Sequence, residues 1–230
     1  KLYLRTKDRR YYEILDAWFA ARLAEGLPGK NVNTMAPMLT LIHLYEIDNR
    51  PERLTLCREW AEWAMNEMPR TKDRGLQHIT VADINEQQLW VDTLYMTGLF
   101  LAKFGMVTGE RKYVEEAIHQ FLVHIKYLAD REAGLWFHGW TFDGNHNFGR
   151  IHWGRGNSWY TSGVVDFIEI VGLEGGVRDF LVDALRNQVD ALLPLQDGEG
   201  MWHTILDDPT SYQESSATAG FAYGMLKAVR

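Results

Sequence analysis

A short signature recurs three times along the chain, and it limits the folds open to this sequence more than any other feature. Gly75-Leu76-Gln77-His78, Gly134-Leu135-Trp136-Phe137-His138 and Gly200-Met201-Trp202-His203 each follow a long helical pattern. The glycines stand 59 and 66 residues apart. Before each signature comes the same pair of segments, an apolar helix and then an amphipathic one. The periodicity predicts Met38–Glu46 then Glu52–Met68, Leu89–Phe104 then Val114–Leu128, and Ser158–Ile170 then Val177–Leu193. In the second of the amphipathic helices Val114, Ile118, Phe121, Leu122, Ile125 and Leu128 recur at three- and four-residue spacing. Tyr11–Leu23 reads as the outer helix of an earlier hairpin, and a further unit begins at Ser215.

Stacked αα-hairpins of this kind put the apolar helices inside and the amphipathic ones outside. The expected fold is therefore all-α, a single domain over residues 1–230 forming a toroid or solenoid of helical hairpins. The period exceeds that of tetratricopeptide and ankyrin arrays. A closed ring of six such hairpins needs roughly 360 residues, and about four units are present here. With no initial Met, the chain is expected to be cut short at both ends relative to such a ring.

Composition excludes several partners. A net charge of −7 is wrong for a nucleic-acid backbone. No run approaches the roughly 18 to 20 apolar residues of a membrane span. The single cysteine, Cys57, forms no internal disulfide and is expected to pack in a helix as a small hydrophobe. No signal peptide is visible, which favours the cytoplasm, and composition sets no oligomeric state. Aromatic residues reach 13%, with 9 Trp, and tryptophan serves both core packing and stacking on sugar rings.

Polar residues gather in the linkers after each signature, which a toroid would bring to one rim. The densest stretch, His138 to Trp159, holds Arg150, Arg155, His138, His146, His152, Trp140, Trp153 and Trp159, with Asp143 as its only acid. On an acidic protein that local positive bias points to an anion site. Arg155 between Trp153 and Trp159 offers a planar fork for a carboxylate between two stacking surfaces. The same stretch can equally be a glycine-rich loop with tryptophan anchors and solvated charges. Asp92 stands at the start of an otherwise apolar helix, where it is either a cap or a general acid facing the cavity. A helix N-terminus lowers a carboxyl pKa, so an acid there needs burial or a second carboxylate to hold its proton. His43, His119 and His124 read as structural, and Asp207-Asp208 as a turn. Asn31, Asn33, Tyr212, Glu214 and Ser215 hold equivalent rim positions.

Four segments together resemble glycoside hydrolase family 105, the unsaturated rhamnogalacturonyl hydrolases, and its relative family 88, the unsaturated glucuronyl hydrolases. They are W-V-D-T-L-Y-M from Trp90, G-L-W-F-H-G-W from Gly134, W-G-R-G-N-S-W from Trp153 and Y-Q-E-S-S-A-T-A-G-F-A-Y-G from Tyr212. The resemblance implies an (α/α)6 toroid, Asp92 as catalytic acid, and a sugar site lined by His138, Trp153, Arg155 and Trp159, with Asp143 a weaker second carboxyl. It implies hydration of the C4=C5 double bond of an unsaturated uronic acid at the end of a pectin-derived oligosaccharide, without metal or cofactor. Where the family often has W-A-R-G-N, this chain has Gly154, a change of small for small. The competing expectations are another α/α-toroid sugar enzyme, an epimerase or conventional glycosidase, and a non-catalytic carbohydrate-binding helical repeat.

Overall fold

The computed structural model describes residues 1–230. Two N-terminal helices, α1 (Leu2–Thr6) and α2 (Arg9–Glu25), precede three hairpins and a last helix. The first hairpin pairs α3 (Val32–Asp48) with α4 (Pro51–Asn66). The second begins with α5 (Val91–Thr93), runs through a π-helical turn at Leu94–Gly98 into α6 (Leu99–Thr108), and returns as α7 (Arg111–Leu128). The third pairs α8 (Gly154–Val171) with α9 (Gly175–Leu192), and α10 (Ser215–Ala228) ends the series.

The hairpins stack with α3, α6, α8 and α10 in an inner row, each packed on the next, while α4, α7 and α9 pack outside their partners. Burial follows the expected division. In α8 twelve residues are buried, from Gly154 to Phe167. In α9 only Leu181, Leu185, Gln188 and Leu192 are, a single stripe at three- and four-residue spacing. Most of the buried apolar side chains form one core of 37 residues, and a second core of 6 surrounds Trp202 and Phe221.

Local chemistry sets the helix ends. Asn31 opens α3 with a capping box, its side chain accepting from Thr34 N at 3.1 Å while Thr34 Oγ1 accepts from Asn31 N at 3.0 Å. Pro51 starts α4, where its missing N–H costs nothing. The inner helices α3, α6 and α8 all close on a left-handed residue, Asn49, Gly109 and Gly172, which reverses the chain into the outer helix. The apolar helix expected from Met38 in fact starts at Val32 and runs through Pro37, whose absent N–H leaves the Asn33 carbonyl without its usual donor. Cys57 lies buried in α4 as expected, and burial pushes its thiol up to about 12. No helix is long and apolar enough to cross a membrane.

One element was not legible in the periodicity. Gln88–Trp90 forms β1 and Gly139–Thr141 forms β2, an antiparallel ribbon pairing Trp90 with Gly139. Leu89 and Trp90, expected inside the helix, are strand residues. Three-residue strands are too short for an alternating pattern to register. The fold remains all-α, but this ribbon positions the site.

Candidate active site

Each signature is a tight hairpin pinned by the helix that follows. Trp136 N donates to Asn157 Oδ1 at 2.7 Å, and Trp202 N to Thr218 Oγ1 at 3.2 Å, both acceptors lying one turn into the next inner helix. The first copy is braced from outside instead. Leu76 N donates to Gln120 Oε1 at 2.9 Å, and Arg70 pairs with the buried Glu116, both acceptors being on α7. These loops carry His78, His138 and His203 to one end of the inner row.

The β-ribbon then brings two of the expected residues together. Beyond the Trp90–Gly139 pair, Val91 N donates to His138 O at 3.1 Å. This leaves Asp92, on α5, beside His138. His138 Nε2 lies 2.9 Å from Asp92 Oδ2, and Trp159 Nε1 donates to Asp92 Oδ1 at 3.2 Å. The carboxyl is mostly buried, with 15% of its side chain exposed. Burial pushes its pKa up, but the hydrogen bond from His138 and the charges of His138 and His78 outweigh burial, and the net shift is downward. Both carboxylate oxygens therefore have donors in the free site.

Aromatic rings wall this carboxyl. His78 stacks on Trp90 at 4.4 Å and 6°, and its Nδ1 lies 2.9 Å from Thr93 Oγ1. Burial pushes the His78 pKa down to about 4. His138 meets the edge of Trp90 at 4.7 Å and tilts against Trp153 at 4.6 Å. Trp159 packs on Tyr95 at 4.6 Å. The sequence marks no role for His78 or Trp90, although His78 ends the same signature as His138.

Arg155 lies one turn before Trp159 on α8, but the two tryptophans do not flank it as a pair. Its guanidinium lies over Trp153 at 4.2 Å, while Trp159 is committed to Asp92 and Tyr95. Nor is the positive stretch free. Arg155 Nη1 donates to Glu214 Oε1 at 2.5 Å, and His152 is held between Asp130 at 3.1 Å and Asp207 at 2.9 Å. These acids come from distant parts of the chain, which is why the local charge count overstated the bias. Asp143 is exposed in the turn after β2; its N–H donates to Thr141 Oγ1 at 3.2 Å, and its carboxylate touches neither Asp92 nor Arg155. His124 is fully buried against Gln120 O at 2.7 Å and is structural, as expected.

The exchange at Gly154 is also less neutral than its size suggests. A Cβ there would stand 2.8 Å from His203 O and 3.1 Å from Ala217 Cβ. The bare glycine lets the start of α8 lie against the third loop, with Gly154 N donating to Thr204 O at 2.7 Å.

This arrangement coincides with a known family. Residues 1–230 match the model of Glycosyl Hydrolase Family 88 along their whole length. The chain belongs to that family. It is 33% identical over 226 residues to the unsaturated rhamnogalacturonyl hydrolase YesR of Bacillus subtilis, covering 97% of this chain and 66% of that protein. A solved structure described as a possible GH105 member from Salmonella enterica is 56% identical, with a TM-score of 0.98 over 99% of this chain and 61% of that one. A family 105 glycoside hydrolase from C. acetobutylicum superposes with a TM-score of 0.87 at 26% identity, over 100% of this chain and 68% of that one. The family-105 resemblance and the α/α-toroid architecture are thereby borne out. The chain spans 61 to 68% of the length of these three relatives.

Proposed function

We propose that this chain carries the site that removes a 4,5-unsaturated uronic acid from the non-reducing end of pectin-derived oligosaccharides, by hydrating the C4=C5 bond. The observation that carries the reading is the Asp92 carboxyl, enclosed by aromatic rings and held by His138 and Trp159. Asp92 is the proton donor, His138 and Trp159 orient it, Trp153 supplies an apolar face, and Arg155 receives the substrate carboxylate.

The chemistry follows from these types. The π electrons of C4=C5 take the proton of Asp92 at C4. A water oxygen bonds to C5 and returns a proton to the carboxylate. The hemiketal so formed opens and releases the neighbouring sugar. Asp92 is drawn low in the free site, so it has to gain a proton when substrate binds. A ring over the pocket excludes water, and a second negative charge arrives with the substrate. Both changes disfavour the ionised carboxyl.

A direct glycosidase needs two carboxyls across the scissile bond. The groups that act on Asp92 are histidines, and Asp143 is exposed and apart. That favours hydration. The name of the Bacillus subtilis relative supports rhamnose as the leaving sugar. Incubation with an unsaturated galacturonyl-rhamnose disaccharide should abolish the ultraviolet absorbance of the conjugated carboxylate. Release of rhamnose with that absorbance retained would overturn the reading.

A further inference from the structure

Glu214 is a buried carboxylate with both oxygens engaged. Only 6% of its side chain is exposed, and it precedes α10 as the N-cap residue. Oε1 accepts from Arg155 Nη1 and from Ser216 Oγ, each at 2.5 Å, and Oε2 accepts from Thr204 Oγ1 at 2.8 Å. A carboxylate so buried is expensive unless its oxygens are filled, and here they are. Its cation is in the opposite situation. Arg155 is 41% exposed and engages the protein through Nη1 alone, which also lies 3.4 Å from Ser216 Oγ. The planar group rests on Trp153, so two contacts fix its plane and one edge. Nε and Nη2, the other edge, donate to no protein group.

We propose that Glu214 is the positioning residue of the substrate-carboxylate site, fixing the Arg155 guanidinium so that its remaining edge meets a planar carboxylate two-pronged. The proposal rests on the reading of Arg155 as the carboxylate receptor. The local sequence is consistent with it. Gly154 and Thr204 are joined backbone to backbone, and that close approach, which a side chain at 154 would obstruct, brings Arg155 onto Glu214. Arginine carries five donors in a rigid fork, so holding one edge leaves the other aimed rather than mobile.

The test compares an unsaturated galacturonyl-rhamnose disaccharide with its carboxamide, which lacks the charge Arg155 reads. In the purified full chain, Glu214→Gln should raise KM for the carboxylate substrate roughly 10-fold or more, the scale of a charged hydrogen bond, and leave kcat within about 2-fold. KM for the carboxamide should stay unchanged. In an Arg155→Ala background, Glu214→Gln should add nothing. Thr204→Val frees Oε2 without removing the charge, and should shift KM in the same direction by less, which covers the case of Glu214→Gln failing to fold. Equal effects on both substrates, or additivity with Arg155→Ala, would overturn the proposal. If Arg155→Ala leaves the carboxylate-to-carboxamide preference intact, the reading of Arg155 falls and this one with it. If Arg155→Ala abolishes that preference and Glu214→Gln does not alter it, Glu214 alone falls.

Discussion

The second and third repeat loops make similar turns and diverge in what the chain after the turn pairs with. In the second, Asp130 N donates to Leu135 O at 2.8 Å; in the third, Asp197 N donates to Met201 O at 2.9 Å. Gly134 and Gly200 both take a left-handed conformation, and both following tryptophans are pinned by the next inner helix. Then His138 meets Asp92, whereas His203 Nδ1 turns to the Ser211 carbonyl within its own hairpin. The difference lies in what each loop pairs with. The strand after His138 joins β1, at the end of which Asp92 begins; the backbone of His203 pairs with Gln213. The signature therefore builds the turn, and the partner strand decides whether its histidine reaches chemistry.

Breaking the second loop's contact should have the largest effect. Asp92→Asn keeps the shape and the hydrogen bond from Trp159 but cannot protonate carbon, so turnover should fall at least 10² to 10⁴-fold, the range for general acid catalysis. Substrate binding to the same variant should change little, as calorimetry can check. Next in size, His138→Leu removes the hydrogen bond to the Asp92 carboxylate and should cost roughly 10- to 100-fold in kcat/KM. The equivalent change His203→Leu should leave kcat/KM within about 2-fold; equal losses at both positions would show that the two loops do not differ in function.

The first loop differs again, since its histidine, His78, is buried, and so is His124 on α7, the helix that braces it. His78 and His124 are each pushed down to about 4 by burial. Below about pH 6.5 the unfolded chain takes up these protons and the folded chain does not. Stability should therefore fall as pH drops from about 6.5 to about 4, by up to about 3 kcal/mol for each histidine. Urea midpoints that stay flat across this range would contradict the assignment. The smaller expected effect on stability is at the third loop. Gly154→Ala forces a methyl against His203 O, and should destabilise the fold by about 1 to 3 kcal/mol in urea unfolding.

The hairpins were readable because three- and four-residue spacing, as in α7 and α9, survives along many turns. Asp92 stood out for a related reason, as a lone carboxyl at the start of an apolar helix. What could not be read depends on pairings between distant residues. The β1–β2 ribbon is three residues long on each side, and Arg155 meets an acid 59 residues away. Trp159 reads as a stacking surface in the sequence, since its indole N–H partner, Asp92, lies 67 residues back. Charge density along one stretch says nothing about acids that fold onto it.

If Asp92 delivers a proton to carbon, running the reaction in D₂O on the unsaturated disaccharide should place deuterium at C4 of the released uronic acid product, as read by NMR. The saturated analogue should not be cleaved. Cleavage of the saturated sugar at a comparable rate, with no deuterium incorporated at C4 during turnover, would contradict proton delivery by Asp92.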